Sequence, residues 1–260
     1  MKLSTLFSGA LSLSFMGALL PSLPFCVAAD LQTIQQRGRL VVAVKDDTRP
    51  LSFRGVGGQL QGLEVEVAQR LAQELLGRKD ALELQTVANR DRLAAVMDGK
   101  ADVAIAHITG TPVRSRLVSL SIPYYLDGTA LVSRDSSVQR LTDIGKRAVA
   151  VLDGSSTIAT LRYRLPEAAL ISVTSYEAAH ALLEKGDAIA FAADASVLTG
   201  WVHEFPSYRL LAPTLSVEPL CIVMPKGLQY NDLHLRVNQI VARWTAEGWL
   251  RERATYWGLP

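Results

Sequence analysis

The sequence predicts an α/β protein of two lobes joined by a double-crossing hinge, and three observations predict it. Residues 40–108 run strand, helix, strand, helix, strand. The same order, with a hydroxyl-rich turn between strand and helix, returns over 148–192. An extended run leaves the first unit at 124–133, and the chain crosses between the units near 129–132 and near 219–222. A chain that crosses twice makes a hinge with a cleft beside it. Ligands of such sheets bind beyond the carboxyl ends of the strands, where the hydroxyl-rich turns lie.

Each element follows from the residues. Residues 1–29 stand apart: Met1-Lys2 is a short basic start, 6–20 is apolar and uncharged, Pro21 and Pro24 break the run, and Val27-Ala28-Ala29 offers small residues before Asp30. That is the pattern of a secretory signal cleaved after Ala29, with an uncleaved anchor as the alternative. Phe25 before Cys26 argues against lipid attachment. The 231 residues that remain carry one cysteine, Cys221, so no internal disulfide is available and the core alone must hold the fold. A hydrophobic content of 49% allows that, in lobes of 30–131 plus 222–260 and 132–221. Basic and acidic residues nearly balance after cleavage, 26 against 25, with no basic tail or stripe. Nucleic acid is therefore not an expected partner, and the mature protein is expected to be a soluble periplasmic monomer.

Residues 31–36 form a helical lead-in stopped at Gly38, and 40–44 a β-branched strand. Gly55-Val56-Gly57-Gly58 turns a hairpin and is no dinucleotide fingerprint, since Leu60 stands at the third glycine's place. Val65, Ala68, Leu71, Ala72 and Leu75 recur at helical spacing up to Gly77. A strand at 82–87 and a helix at 90–98 lead into the most informative stretch, 101–125. There the apolar strand 103–108 runs into Thr109-Gly110-Thr111-Pro112, with Thr111 an N-cap candidate and Arg114 one turn on. Hydroxyls, helix-start N–H groups and a guanidinium together suit an anion; an ordinary strand-to-helix connection with a solvated arginine is the competing reading. The second unit gives a strand at 148–152 running into Asp153-Gly154-Ser155-Ser156, helices at 158–163 and 176–184, and a strand at 188–192 with Asp194 just beyond it. A final amphipathic helix covers 233–246.

Several runs, taken in order, resemble one family. They are Gly62-Leu63-Glu64-Val65-Glu66-Val67-Ala68, Asn89-Arg90-Asp91-Arg92-Leu93, Gly99-Lys100-Ala101-Asp102, Ile108-Thr109-Gly110-Thr111-Pro112-Val113-Arg114, Ser121-Ile122-Pro123-Tyr124-Tyr125, Gly248-Trp249-Leu250 and Trp257-Gly258. Each is weak alone; in sequence they resemble the extracytoplasmic solute-binding proteins of polar amino-acid ABC importers. The resemblance implies a periplasmic-binding-protein-like fold whose cleft closes on one amino acid without cofactor, metal or chemistry, for delivery to a permease. It also implies roles. Arg114 would take the α-carboxylate, helped by Thr109, Thr111 and the amide of Ser156. Asp194 would take the α-ammonium, with the carbonyl of His107 as a second acceptor; a plain helix N-cap is the alternative for Asp194.

The sequence departs from that family where specificity is set. Lys45 stands at a usual Asp, Thr48 at a usual aromatic and Leu51 at a usual Phe, and Asn89-Arg90 looks like the glutamate/aspartate type. Lys45, Arg49 and Arg90 would then crowd positive charge at the side-chain end of the cleft, which favours an acidic amino acid, unless these bases are solvated or neutralised by Asp46 and Asp47. Two alternatives stay open. One is an enzyme on the same fold, such as a cyclohexadienyl dehydratase, for which Glu184 and Glu218 are the nearest unassigned carboxylates. The other is a ligand-sensing module for a receptor, where Trp244 and Trp249 would mark a partner surface or simply the core. His107, His180, His203 and His234 show no metal-ligand spacing.

Overall fold

The computed structural model of the chain describes residues 28–259. The signal segment falls outside the described residues as far as 27; Ala28 and Ala29, which the sequence assigns to it, are buried, and Ala29 packs into the first core. Asp30 caps the helix Leu31–Arg37 by accepting from Thr33 N at 2.8 Å.

Two five-stranded sheets organise the molecule. The first runs Leu82–Thr86, Leu40–Val44, Val103–Ala104, Glu218–Met224, Ser119–Asp127. Its first three strands are parallel, and Glu218–Met224 lies antiparallel to both neighbours. The second runs Ala169–Val173, Ala148–Leu152, Ala190–Asp194, Thr129–Ser133, Arg209–Leu211, parallel over its first three strands and antiparallel beyond. Leu40–Val44 and Ala190–Asp194 are buried at every residue, because helices cover both faces of a central parallel strand. That is why both read in sequence as unbroken apolar runs. A three-stranded hairpin sheet, Asp47–Thr48, Ser52–Arg54 and Leu60–Gln61, sits on the first lobe. The helix Leu63–Leu76 ends at Gly77 in the left-handed region, as its periodicity predicts.

Each lobe has its own core on both faces of its sheet. Trp244, fully buried, packs with Trp249 at 5.3 Å between ring centroids in the first lobe, so this pair belongs to the core. The second lobe buries Phe191, Trp201 and Tyr176.

Gly128 alone connects Ser119–Asp127 of the first sheet to Thr129–Ser133 of the second. The return passage runs beside it: Leu215 N donates to Thr129 O at 2.7 Å, and Thr129 N donates to Ser216 Oγ at 2.9 Å. A Cβ on Gly128 would come within 2.2 Å of Ser216 O, so the crossing needs a glycine to bring the two passages together. The lobe limits expected from sequence move accordingly. Residues 129–131 pair in the second sheet and 218–221 in the first.

Three elements differ from expectation. Only Val103–Ala104 of the run 103–108 pairs as a strand. The helix expected after Thr111 is a single 3-10 turn, Arg114–Arg116. A further helix, Ala195–Glu204, starts directly after Asp194.

Candidate functional site

The candidate site lies where the two lobes meet beyond the carboxyl ends of their parallel strands, lined by Arg92, His107, Thr109 and Arg114 on one side and Ser156, Tyr176 and Asp194 on the other. Asn89 Nδ2 bridges the lobes by donating to Asp153 O at 2.6 Å.

Arg114 is set by its own loop. Its backbone N–H donates to Thr111 Oγ1 at 3.2 Å, and its guanidinium donates from Nη1 to Thr109 O at 2.8 Å and from Nη2 to Gly154 O at 3.4 Å. Burial pulls its pKa down, while Asp194 and Glu218 pull it back up. Thr111 thus holds the turn that carries Arg114. The hydroxyls of Thr109 and Ser156 lie 3.1 Å apart, and both donate to Glu218 Oε2, at 3.1 and 2.7 Å. Glu218 Oε1 accepts from Thr129 at 2.6 Å and Ser216 at 2.8 Å. Burial acts to raise the Glu218 pKa, but these four hydroxyls outweigh it and leave the carboxyl below its ordinary value. Glu218 therefore ties the cleft to both crossings, a role for which a lone Glu before an apolar strand carries no sequence signal.

His107 has φ +55°, the one non-glycine positive φ among the described residues. Its N–H donates to the buried Glu64 at 2.6 Å, and its carbonyl accepts from Arg92. Arg92 thus already donates to the carbonyl expected to help with the ammonium, and the ring faces the cleft's acids. Nε2 lies 2.7 Å from Asp194 Oδ2 and 3.5 Å from Asp127 Oδ2. Burial lowers the imidazole pKa, yet Asp194 and then Asp127 overcome this and raise it to about 10. Asp127 is fixed in turn by N–H bonds from Gly128 at 2.8 Å and Ser196 at 3.1 Å. Asp194 occupies the N-cap position of Ala195–Glu204 but makes no capping bond. Its Oδ2 faces His107, and its buried Oδ1 has no hydrogen-bond partner among the described residues.

Arg92, absent from the sequence-derived set, is buried and donates to Asn89 O at 2.7 Å and Ala106 O at 3.0 Å. Burial lowers its pKa to about 10. Of the three bases expected at the side-chain end, only Lys45 is buried. Its Nζ pairs with Asp47 at 3.1 Å and lies 5.2 Å from the ring centroid of Tyr176. Burial lowers the Lys45 pKa against the pull of Asp47. Arg90 is a correction: its side chain is 78% exposed and pairs with Asp91. Arg49 is another. It is exposed, stacks 4.0 Å from the Phe53 ring centroid, and lines a separate cavity with Trp201 and Phe205. Of the unassigned carboxylates, Glu184 instead pairs with Arg134 and Tyr208, away from the cleft.

A two-lobed sheet protein with opposed charges at the mouth of its strands is a cleft-type binding protein. The chain belongs to the bacterial extracellular solute-binding proteins, family 3, whose model matches residues 40–260. A glutamine-binding protein of Geobacillus stearothermophilus is 30% identical over 192 residues, 73% of each chain. The crystal structure of the solute receptor for L-cysteine of Neisseria gonorrhoeae is 26% identical, with a TM-score of 0.81 over 88% of this chain and 93% of that one. A cyclohexadienyl dehydratase of Pseudomonas aeruginosa is 34% identical over 125 residues, 47% of this chain and 46% of its own length. No helix among the described residues is long and apolar enough to cross a membrane.

Proposed function

We propose that this protein binds an amino acid in the interlobe cleft, outside the cytoplasm, and delivers it to an ABC permease. The observation that carries the reading is the charge arrangement. Arg114 stands in the same narrow cleft as Asp194, whose buried Oδ1 has no partner. A zwitterion offers each what it lacks: a carboxylate for the guanidinium and an ammonium for the orphaned oxygen. Charge-assisted bonds of this kind are strongest where water is excluded.

For the side chain we propose an acidic group. With Arg90 and Arg49 outside the cleft, this rests on Lys45 alone. A ligand carboxylate would replace one carboxylate, Asp47, with another. A cationic side chain about 4 Å from Lys45 would meet a repulsion of about 4 kcal/mol at an effective dielectric of about 20. The relatives named for glutamine and L-cysteine make a neutral polar side chain the comparison to run. The dehydratase alternative finds little support at Glu218, which accepts four hydrogen bonds and holds no ready proton.

A thermal-shift screen of the purified protein against the twenty amino acids tests this directly. A ligand at 100 times its Kd adds about 2.7 kcal/mol to stability, so L-glutamate or L-aspartate should raise the Tm by several degrees and L-lysine should not. A flat screen, with prephenate turned over, would replace the binding reading with the enzymatic one.

A further inference from the structure

We infer that capture of an amino acid in this cleft expels the proton from the His107 ring. The inference rests on the amino-acid reading and adds the protonation chemistry of the site. The place where an ammonium would bind already holds a cation. The His107 backbone turns through φ +55°, a region open to few side chains, and this sets the ring between carboxylates from both lobes. Asp127 ends a strand of the first sheet, and Asp194 ends a strand of the second. The acids around the residue favour the imidazolium, and the two nearby arginines oppose it but are outweighed. Asp194 and Asp127 face the ring, Glu64 accepts from the backbone N–H, and Tyr124 donates to that same Glu64. Arg92 is held on the His107 and Ala106 carbonyls, and Arg114 on the Thr109 and Gly154 carbonyls.

An ammonium on Asp194 Oδ1 would stand about 5 Å from a charged ring whose Nε2 lies 2.7 Å from Oδ2. At an effective dielectric of about 20, that repulsion is worth about two orders of magnitude in affinity. Losing the proton removes it. The ligand enters as a zwitterion, Asp194 exchanges the imidazolium for the ammonium, the ring becomes neutral, and one proton passes to the solvent. That repulsion brings the ring from a pKa of about 10 to about 8 in the complex, so affinity should rise toward tenfold per pH unit between about pH 8 and 10 and change little below. A carboxylate that lacks the ammonium, such as the matching 2-oxo acid, leaves the pair intact and releases nothing.

Calorimetric titration in borate and in Tris at pH 8.5, between the bound and free pKa values, reads proton release from the difference in heats. The probe is L-glutamate or, if another amino acid gives the largest thermal shift, that one. More than half a proton per ligand is expected for the wild type and none for His107→Gly, a substitution suited to the positive φ; His107→Asn serves if the glycine variant does not fold. Amino-acid binding without proton release, or release that persists in both variants, overturns the inference and leaves the binding reading standing. If no amino acid binds either wild type or variant, the binding reading fails and the inference fails with it. A 2-oxo acid that releases as many protons as the amino acid also overturns it, because the release would then not depend on the ammonium.

Discussion

Asp194→Asn isolates the buried ion pair at the centre of the cleft. The side chain keeps its shape and loses its charge, so His107 is left with Asp127 alone at 3.5 Å in place of partners at 2.7 and 3.5 Å. At an effective dielectric of about 20 these attractions are about 6 and 5 kcal/mol before desolvation. Burial also raises the Asp194 pKa, so removing its charge returns part of that cost. Breaking one partner of a buried pair generally costs about 3–5 kcal/mol, and the lower end, about 3 kcal/mol at pH 6, is expected here. The pH dependence is the sharper test. His107 has a pKa raised from 6.5 to about 10 in the fold. Its contribution is therefore whole below pH 6.5 and is lost as pH rises toward 10, by about 1.4 kcal/mol per unit. Urea unfolding at pH 6, 7.5 and 9 should show the gap between wild type and variant closing as pH rises. Taking the difference cancels groups common to both proteins, such as Lys45. A gap that stays constant with pH would mean that the His107–Asp194 pair does not hold the imidazolium.

Other substitutions test the remaining parts. Arg114→Ala should abolish amino-acid binding in calorimetry, and Arg114→Lys should weaken it at least tenfold because the forked pairing is lost; near-native affinity in the alanine variant would remove the cleft assignment. Arg90→Ala should leave every Kd within about twofold, since exposed charges contribute little, whereas a selective loss for acidic ligands would restore Arg90 to the site. Lys45→Met should weaken L-glutamate more than L-glutamine, and equal losses would end the acidic preference. Gly200 lies in the second lobe against the first-lobe hairpin, and a Cβ there would meet Arg49 O at 2.9 Å. Gly200→Ala should hold the lobes slightly apart and lower affinity with little change in urea midpoint; a large loss of stability would mean the glycine serves the helix.

Much of the fold is legible because its signals are local. The strands at 40–44 and 148–152 are apolar runs bounded by charge, and the helix at 63–76 has a clear period and a glycine stop. The placement of Arg114 and Asp194 in one cleft is legible too, since the first lies in the loop after a strand and the second ends one. What escapes the sequence depends on distant partners. Arg90 and Arg92 differ by two positions on a helical turn, which sends their side chains to opposite faces; the sequence alone does not say which face looks inward. Glu218 acquires its role from four hydroxyls on four separate segments. His107 looks like an isolated histidine until its positive φ turns the ring toward two acids that lie 20 and 87 residues away in sequence. The lobe limits shift because a single residue, Gly128, makes the crossing, too short a break to see within one extended run.

The central claim is that a zwitterion is held by Arg114 at one end and Asp194 at the other. A crystal structure of the protein grown with the amino acid that gives the largest thermal shift tests it most directly. The ligand carboxylate is expected on the Arg114 guanidinium at about 2.8 Å, the usual length of a charge-assisted bond, and the ammonium on Asp194 Oδ1. A ligand seated instead beside Trp201 and Phe205, or with its carboxylate turned away from Arg114, would contradict it.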